Sequence, residues 1–236
     1  MQIKMLCLAN SKKPPTGRCV AGKELINGAV GKWIRPVSDR LGKEVSEDER
    51  RYEDGATAQV GHKISLVLSV AAPHLHQQEN VIIDAKCGWQ KDGVASWQEL
   101  LDATDNHNGQ LWVNGWSTNH GDNDKVPEAQ LPGVGRSLFF LAVQSLTLRV
   151  WLMPGYEGSQ ARRKVRAVFQ YAGSDYDISV SDPLIESEML ARPNGNYLAG
   201  PVLVCVSLAE PFHGYAFKVA ASIINQRRVS GQTLLP

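Results

Sequence analysis

The chain has 236 residues, 43% of them hydrophobic and 21% charged, with 25 Lys+Arg against 24 Asp+Glu and a net charge of +1. That length suits one large domain or two small ones of roughly 100–150 residues, and the apolar share is enough for packed cores, which excludes wholesale disorder and collagen-like repetition. A net charge near zero excludes a globally basic coat protein for nucleic acid, but charges segregated on the surface still allow a local basic groove.

The opening ten residues carry a short apolar run, broken by Lys12 and Lys13, that is too brief for a secretory leader, and nowhere do about 18 apolar residues run together as a membrane-crossing helix needs. The cysteines Cys7, Cys19, Cys87 and Cys205 are scattered and form no CxxC pair. A cytoplasmic protein with reduced thiols and no membrane contact is therefore expected.

Residues 4–9, 19–25 and 32–38 read as strands, and 63–71 alternates up to Pro73. Residues 94–104 make the best helix of the first half, with Ser96 as N-cap. The Asn-, Gly-, Asp- and Pro-rich stretch 105–135 reads as a long loop or linker, its one short strand candidate at 111–116. Residues 137–152 form a long apolar strand or strand pair. In 164–171, Val165, Ala167, Phe169 and Tyr171 share one face, and Lys164, Arg166, Val168 and Gln170 share the other. A turn at 172–175 joins this run to 176–181, whose inward residues are Tyr176, Ile178 and Val180, giving a β-hairpin. Asp182-Pro183 reads as N-cap and first residue of a short helix to Leu190. Strands at 201–208 and 215–224 close the pattern, which fits a small barrel.

Charge is distributed in blocks. Residues 1–45 hold nine Lys/Arg against three acids, residues 79–130 hold three against nine, and residues 136–236 hold ten against seven. The near-zero total is thus a cancellation, and a basic face survives it.

Two basic clusters are candidates for phosphate contact. The first comprises Lys12, Lys13, Arg18, Lys23 and Arg35 with Trp33, beside the loop-like Pro14-Pro15-Thr16-Gly17. Lys and Arg neutralise backbone phosphates and an exposed Trp stacks on any base; the alternative is solvated charge with Trp33 in the core. The second is Arg162-Arg163-Lys164 with Arg166, after Gly155 and Gly158 in a loop; its alternative is a hairpin edge guarded by charge. The spacing Gly17-x4-Gly22-Lys23 imitates a phosphate-binding loop, but Glu24 stands where a hydroxyl is needed and no good helix follows, so a turn and a strand are the better reading.

His74-x-His76 lacks a third ligand at a characteristic interval, and the acids of 102–128 fail the spacing of a calcium loop, so no metal and no cofactor are expected. No nucleophile or zinc-hydrolase motif occurs, and the argument for an enzyme is weak. Trp89, Trp97, Trp112 and Trp116 fall in the acidic segment, where they anchor loops or line a pocket.

Several of these stretches together resemble the bacterial dual OB-fold (DuOB) domain family. The matching residues are Cys7-Leu8-Ala9-Asn10-Ser11-Lys12-Lys13, Gly17-Arg18-Cys19-Val20-Ala21-Gly22 and Trp33-Ile34-Arg35-Pro36-Val37-Ser38. In the second half, 164–171, 176–183 and Cys205 through Tyr215 fit the same family. The resemblance implies a mainly β, prokaryotic protein of two consecutive small OB-like barrels with one or two short helices, and no catalytic residue to carry over. The expected division is an N-terminal barrel over 1–130, holding an acidic Trp-rich insertion, and a C-terminal barrel over 131–236. Phe212 and Tyr215 are expected to plug the end of the second barrel, near Lys218, rather than to stack bases.

The function these readings favour is non-catalytic binding of nucleic acid, preferably single-stranded, by Lys12, Lys13, Arg18, Lys23, Trp33, Arg35, Arg162, Arg163, Lys164 and Arg166. Alternatives are an adaptor with a protein partner, docking through the acidic Trp-rich segment, and a small-nucleotide sensor with Lys23 and Arg35 on the phosphates. OB barrels also bind oligosaccharides and proteins, so the fold alone leaves these open.

Overall fold

The computed structural model describes residues 1–13, 17–40, 44–154 and 160–236. The loop readings at Pro14-Pro15-Thr16 and at Gly155 and Gly158 lie outside the described residues. The chain divides into two units, one of Met1–Thr104 with Gly135–Leu138, the other of Asp105–Val134 with Phe139–Pro236.

The first unit is built on β1 (Gln2–Lys13), β2 (Gly17–Ile26), β3 (Ala29–Val37), β4 (His62–Ala71), β5 (Asn80–Ile83) and β6 (Gln90–Val94), with the short helix α1 (Trp97–Asp102). The strands run in the order β1-β2-β3-β5-β4-β6, and β4 also pairs with β1, which closes a five-stranded circuit. The β3–β5 pairing is parallel and the others are antiparallel. Ile3, Met5, Cys7, Val20, Ile34, Ile64, Leu66 and Trp89 fill the interior, each burial contributing about 1.5–3 kcal/mol for a large side chain. A register shift between Cys7 and Ala9 lets the long β1 curve from its pairing with β4 into its pairing with β2. Gly22 is needed at this ladder because a Cβ there would lie 2.1 Å from the Leu6 carbonyl oxygen.

The second unit repeats the plan with β7 (Lys125–Pro127), β8 (Leu138–Met153), β9 (Arg162–Tyr171), β10 (Ser174–Val180), β11 (Gly195–Leu208) and β12 (Tyr215–Ile224), and with helices α2 (Pro183–Leu190) and α3 (Gln226–Val229). The order is β10-β9-β8-β11-β12-β7, and a parallel β10–β12 pairing closes the circuit. This is the same Greek-key barrel, with α2 inserted before the last strand pair. The expected alternation holds: Val165, Ala167, Phe169, Tyr176, Ile178 and Val180 are all core residues. The Asp182 side chain accepts hydrogen bonds from the Leu184 and Ile185 amides, and Pro183 opens α2. Residues 138–153 are one strand, not two.

Three expectations are corrected. The domain boundary expected at 130/131 is not where the units part. Leu111 is fully buried in the second core, its amide donates to the Tyr176 hydroxyl, and β7 pairs with β12, so residues 105–134 belong to the second barrel. The strand candidate at 111–116 does not form, because Trp112 and Gly115 both take positive φ, which breaks an extended run. The helix expected over 94–104 is only Trp97–Asp102; residues 90–94 pair with β4 instead, and a Ser96–Glu99 capping box sets the helix start.

Candidate nucleic-acid interface

In the first barrel the predicted residues separate into two groups. Lys12, exposed at the end of β1, lies directly across from Arg18 at the start of β2, and half-buried Lys13 lies across from Gly17. The Arg18 backbone exchanges hydrogen bonds of 3.0 and 3.1 Å with Val45.

Lys23, Trp33 and Arg35 meet on the β2–β3 ladder, where both cations are buried and Trp33 is half-buried. Lys23 is buried, donates to the Ala103 carbonyl at 2.8 Å and stands 5.4 Å from the centre of the Trp33 ring, its cross-strand partner. Arg35, only 3% exposed, pairs with Glu79 at 2.9 Å and donates to Ser137 Oγ at 2.7 Å and Cys19 Sγ at 3.3 Å. Ser137 itself donates to Glu79. A guanidinium so enclosed is held by fixed partners, and opening it to a phosphate would strand the carboxylate.

The second cluster divides the same way. Arg166 is 4% exposed and pairs with Asp124 at 2.8 Å and Asp177 at 2.6 Å, with Ser179 Oγ as a further acceptor. Asp124 also accepts from the Thr118 amide and hydroxyl, fastening the 117–124 loop over the strands. That loop passes so close that a Cβ on Gly121 would fall 1.9 Å from Asp124 Oδ2 and 2.2 Å from an Arg166 terminal nitrogen, so a larger residue there would push the Arg166–Asp124 pair aside. Half-buried Arg163 points along α2: it donates to the Leu190 carbonyl, to the Arg192 carbonyl and to Asn194 Oδ1, satisfying helix-end acceptors.

Arg162 and Lys164 remain exposed, opposite Met153 and Trp151 on β8. Trp151 is 47% exposed. Two residues earlier on the same face, Arg149 donates to Asp177 at 2.6 Å, so Asp177 ties Arg149 to Arg166. Beside them a cleft of about 620 Å³ is lined by Asn119, His120, Asp122, Arg149, Trp151 and Leu152, among others. Arg149 and Trp151 were not singled out from the sequence. Their signal is the alternation in 146–151, where Leu146, Leu148 and Val150 are buried and the residues between them face out.

The aromatic end of the second barrel also differs from expectation. Phe212 is 58% exposed and packs edge-on against His213, so it plugs nothing. Tyr215 lies under Lys125, 4.1 Å from ring centre to Nζ. Lys218 is the inward group: 1% exposed, it donates to the Val113 carbonyl at 2.9 Å and Asn114 Oδ1 at 2.8 Å, and burial pulls its pKa down to about 7. In the first core, burial pushes the Cys7 thiol up to about 12, leaving it protonated and a poor nucleophile. Among the described residues no three His, Cys, Asp or Glu side chains gather into a metal-ligand set. Nor is any helix among them long and apolar enough to cross a membrane.

The model of the dual OB-containing domain matches residues 3–223, nearly the whole chain. The chain belongs to that family. Two closed Greek-key barrels of the same strand order are what such a dual OB chain requires, and an OB-type binding module is the coarse function that follows. No curated protein and no solved structure gives a match.

Proposed function

We propose that this dual OB chain binds single-stranded nucleic acid through the outer face of its second barrel. The observation that carries the reading is the exposed Trp151, cross-strand from Lys164 and neighboured by Arg162, at the rim of the 620 Å³ cleft. An aromatic face between cations is what an unpaired base and its flanking phosphates need; a duplex keeps its bases stacked inside. Lys12 and Arg18 supply a second basic pair on the first barrel, whereas Lys23, Arg35 and Arg166 act as framework and not as phosphate ligands. The reading includes a cytoplasmic location, where the four reduced cysteines persist.

Fluorescence anisotropy with labelled single-stranded DNA, single-stranded RNA and duplex tests this at three salt concentrations. Trp151→Ala is expected to weaken single-strand binding by about 1–3 kcal/mol, roughly 5- to 150-fold. Arg162→Ala/Lys164→Ala is expected to reduce the slope of log K against log salt by about 1.4, at roughly 0.7 for each phosphate that is no longer neutralised. Folded protein that fails to bind at low salt, or binding that ignores Trp151→Ala, would overturn the proposal and favour the adaptor reading.

A further inference from the structure

Residues 46–51 read Ser-Glu-Asp-Glu-Arg-Arg, three acids beside two arginines, and the structure distributes their charges unevenly. Arg51 pairs with Glu47 at 3.6 Å and Asp48 at 3.0 Å, both at the surface. Glu49 pairs with Arg40 at 2.7 Å and accepts from Ser38 Oγ and the Ser46 amide, which hold its carboxyl down at about 2. Every adjacent acid is therefore engaged elsewhere. Arg50 is 6% exposed, its Nε is buried without a hydrogen-bond partner, and among the described residues its side chain has no ion-pair partner. Asn10 Oδ1 and Asn80 Oδ1 are also buried and unpartnered, but Arg50 carries a full charge, and such a charge is costly to bury unless something pairs with it.

The strongest charged neighbour of Arg50 is Arg18, another cation, and burial together with Arg18 lowers the Arg50 pKa. Glu47 acts on it more weakly, followed by the Cys7 thiol and Arg51. Arg18 also lacks an ion-pair partner among the described residues, and its cross-strand neighbour is Lys12. The backbone sets Arg50 at this strand end: its carbonyl accepts from the Ala58 amide, and the Ala58 carbonyl accepts from Asn10 Nδ2 of β1. Val45, five residues before Arg50, pairs with Arg18, so Arg50 lies in the region where Lys12 and Arg18 face each other and has no ion-pair partner among the described residues.

The geometry points to a phosphate site built from Arg50 and Arg18, flanked by Lys12, that takes a phosphate monoester: the phosphate of a nucleotide or the phosphorylated end of a strand. Two guanidinium forks match a tetrahedral oxyanion carrying two charges. With Arg50 only 6% exposed, the ligand must project a narrow charged tip. A backbone diester carries a single charge and is flanked by sugar on both sides, so it fits less well. The inference stands on the first barrel alone and does not depend on strand binding by the second.

Thermal unfolding against inorganic phosphate, exchanged for chloride at constant ionic strength, is the direct test. Phosphate is expected to raise the melting temperature of the wild type saturably, as a ligand that binds only the folded state does. Arg50→Met is expected to abolish that dependence while folding at least as stably in phosphate-free buffer, because it removes an uncompensated buried charge. Arg18→Gln is expected to weaken phosphate at least tenfold, the worth of a hydrogen bond to a charged group, and carries the test if Arg50→Met does not fold. Paired titrations of AMP against adenosine, and of 5′-phosphorylated against 5′-hydroxyl single strands, separate the two sources of the group. A wild type indifferent to phosphate, or an Arg50→Met or Arg18→Gln protein that responds as the wild type does, would overturn this site. Either result would leave the Trp151 test untouched.

Discussion

Both barrels carry a buried arginine on the ladder formed by their second and third strands, Arg35 in the first and Arg166 in the second. Around Arg35 the chain lays the Glu79 carboxylate and the neutral groups of Ser137 and Cys19, while Lys23 next to it donates to the Ala103 carbonyl. Around Arg166 it lays two carboxylates, Asp124 and Asp177, and the second is shared with Arg149. The first ladder is therefore closed over Lys23 and Arg35, while Arg18 at its end stays half-exposed. The second is closed over Arg166 but leaves Arg162, Lys164 and Trp151 in solvent beside a cleft. The difference teaches that a basic residue on an OB strand becomes framework or contact surface according to what distant chain covers it. Its position on the strand does not decide the matter.

The largest test of this comparison removes the covering carboxylates. Glu79→Ala is expected to cost about 3–5 kcal/mol in urea unfolding, because it takes the carboxylate away from a guanidinium that stays buried. Asp124→Ala is expected to cost less, since Arg166 keeps Asp177. Equal losses would show that the shared Asp177 does not compensate for Asp124.

The pH dependence sharpens the contrast. Burial lowers the His62 pKa in the first barrel from 6.5 to about 4, with Nδ1 3.0 Å from the Tyr52 hydroxyl. The folded state then binds fewer protons than the unfolded state between those values, so this contribution is present above pH 6.5 and is lost as the pH falls toward 4. Burial of Lys218 in the second barrel lowers its pKa from 10.5 to about 7, so stability is expected to rise as the pH climbs through that interval. Neither slope exceeds about 1.4 kcal/mol per pH unit. His62→Phe should flatten the acid limb of stability against pH, and Lys218→Met the alkaline limb. A variant that leaves its limb unchanged breaks the assignment.

The smallest effect lies at the helix starts. Ser96→Ala removes the capping box of α1 and is expected to lower stability by about 1 kcal/mol. The corresponding cap of α2, Asp182, also pairs with Arg228 at 2.5 Å, so alanine there should cost more. Denaturant melts of the two variants compare the caps directly.

What could be read from the residues was local. The alternation of 164–180, the Asp182-Pro183 helix start and the Ser96 cap depend on neighbours one to four positions away, and each appears in the structure. Short β5 and β7 carried too few residues for a periodic signal, and the Trp112 and Gly115 backbone broke an apolar run that otherwise suggested a strand. The basic clusters were visible as composition, and family membership followed from motifs spread along the chain. Their sorting was not visible. Lys23 meets Ala103 across 80 residues, Arg35 meets Ser137 across 102, and Arg166 meets Asp124 across 42. A sequence states that a residue is charged, but burial and pairing are set by closure of the barrel, which brings remote acids and carbonyls onto the same strands. By the same physics the three acids that precede Arg50 in the chain are each turned by folding to another arginine.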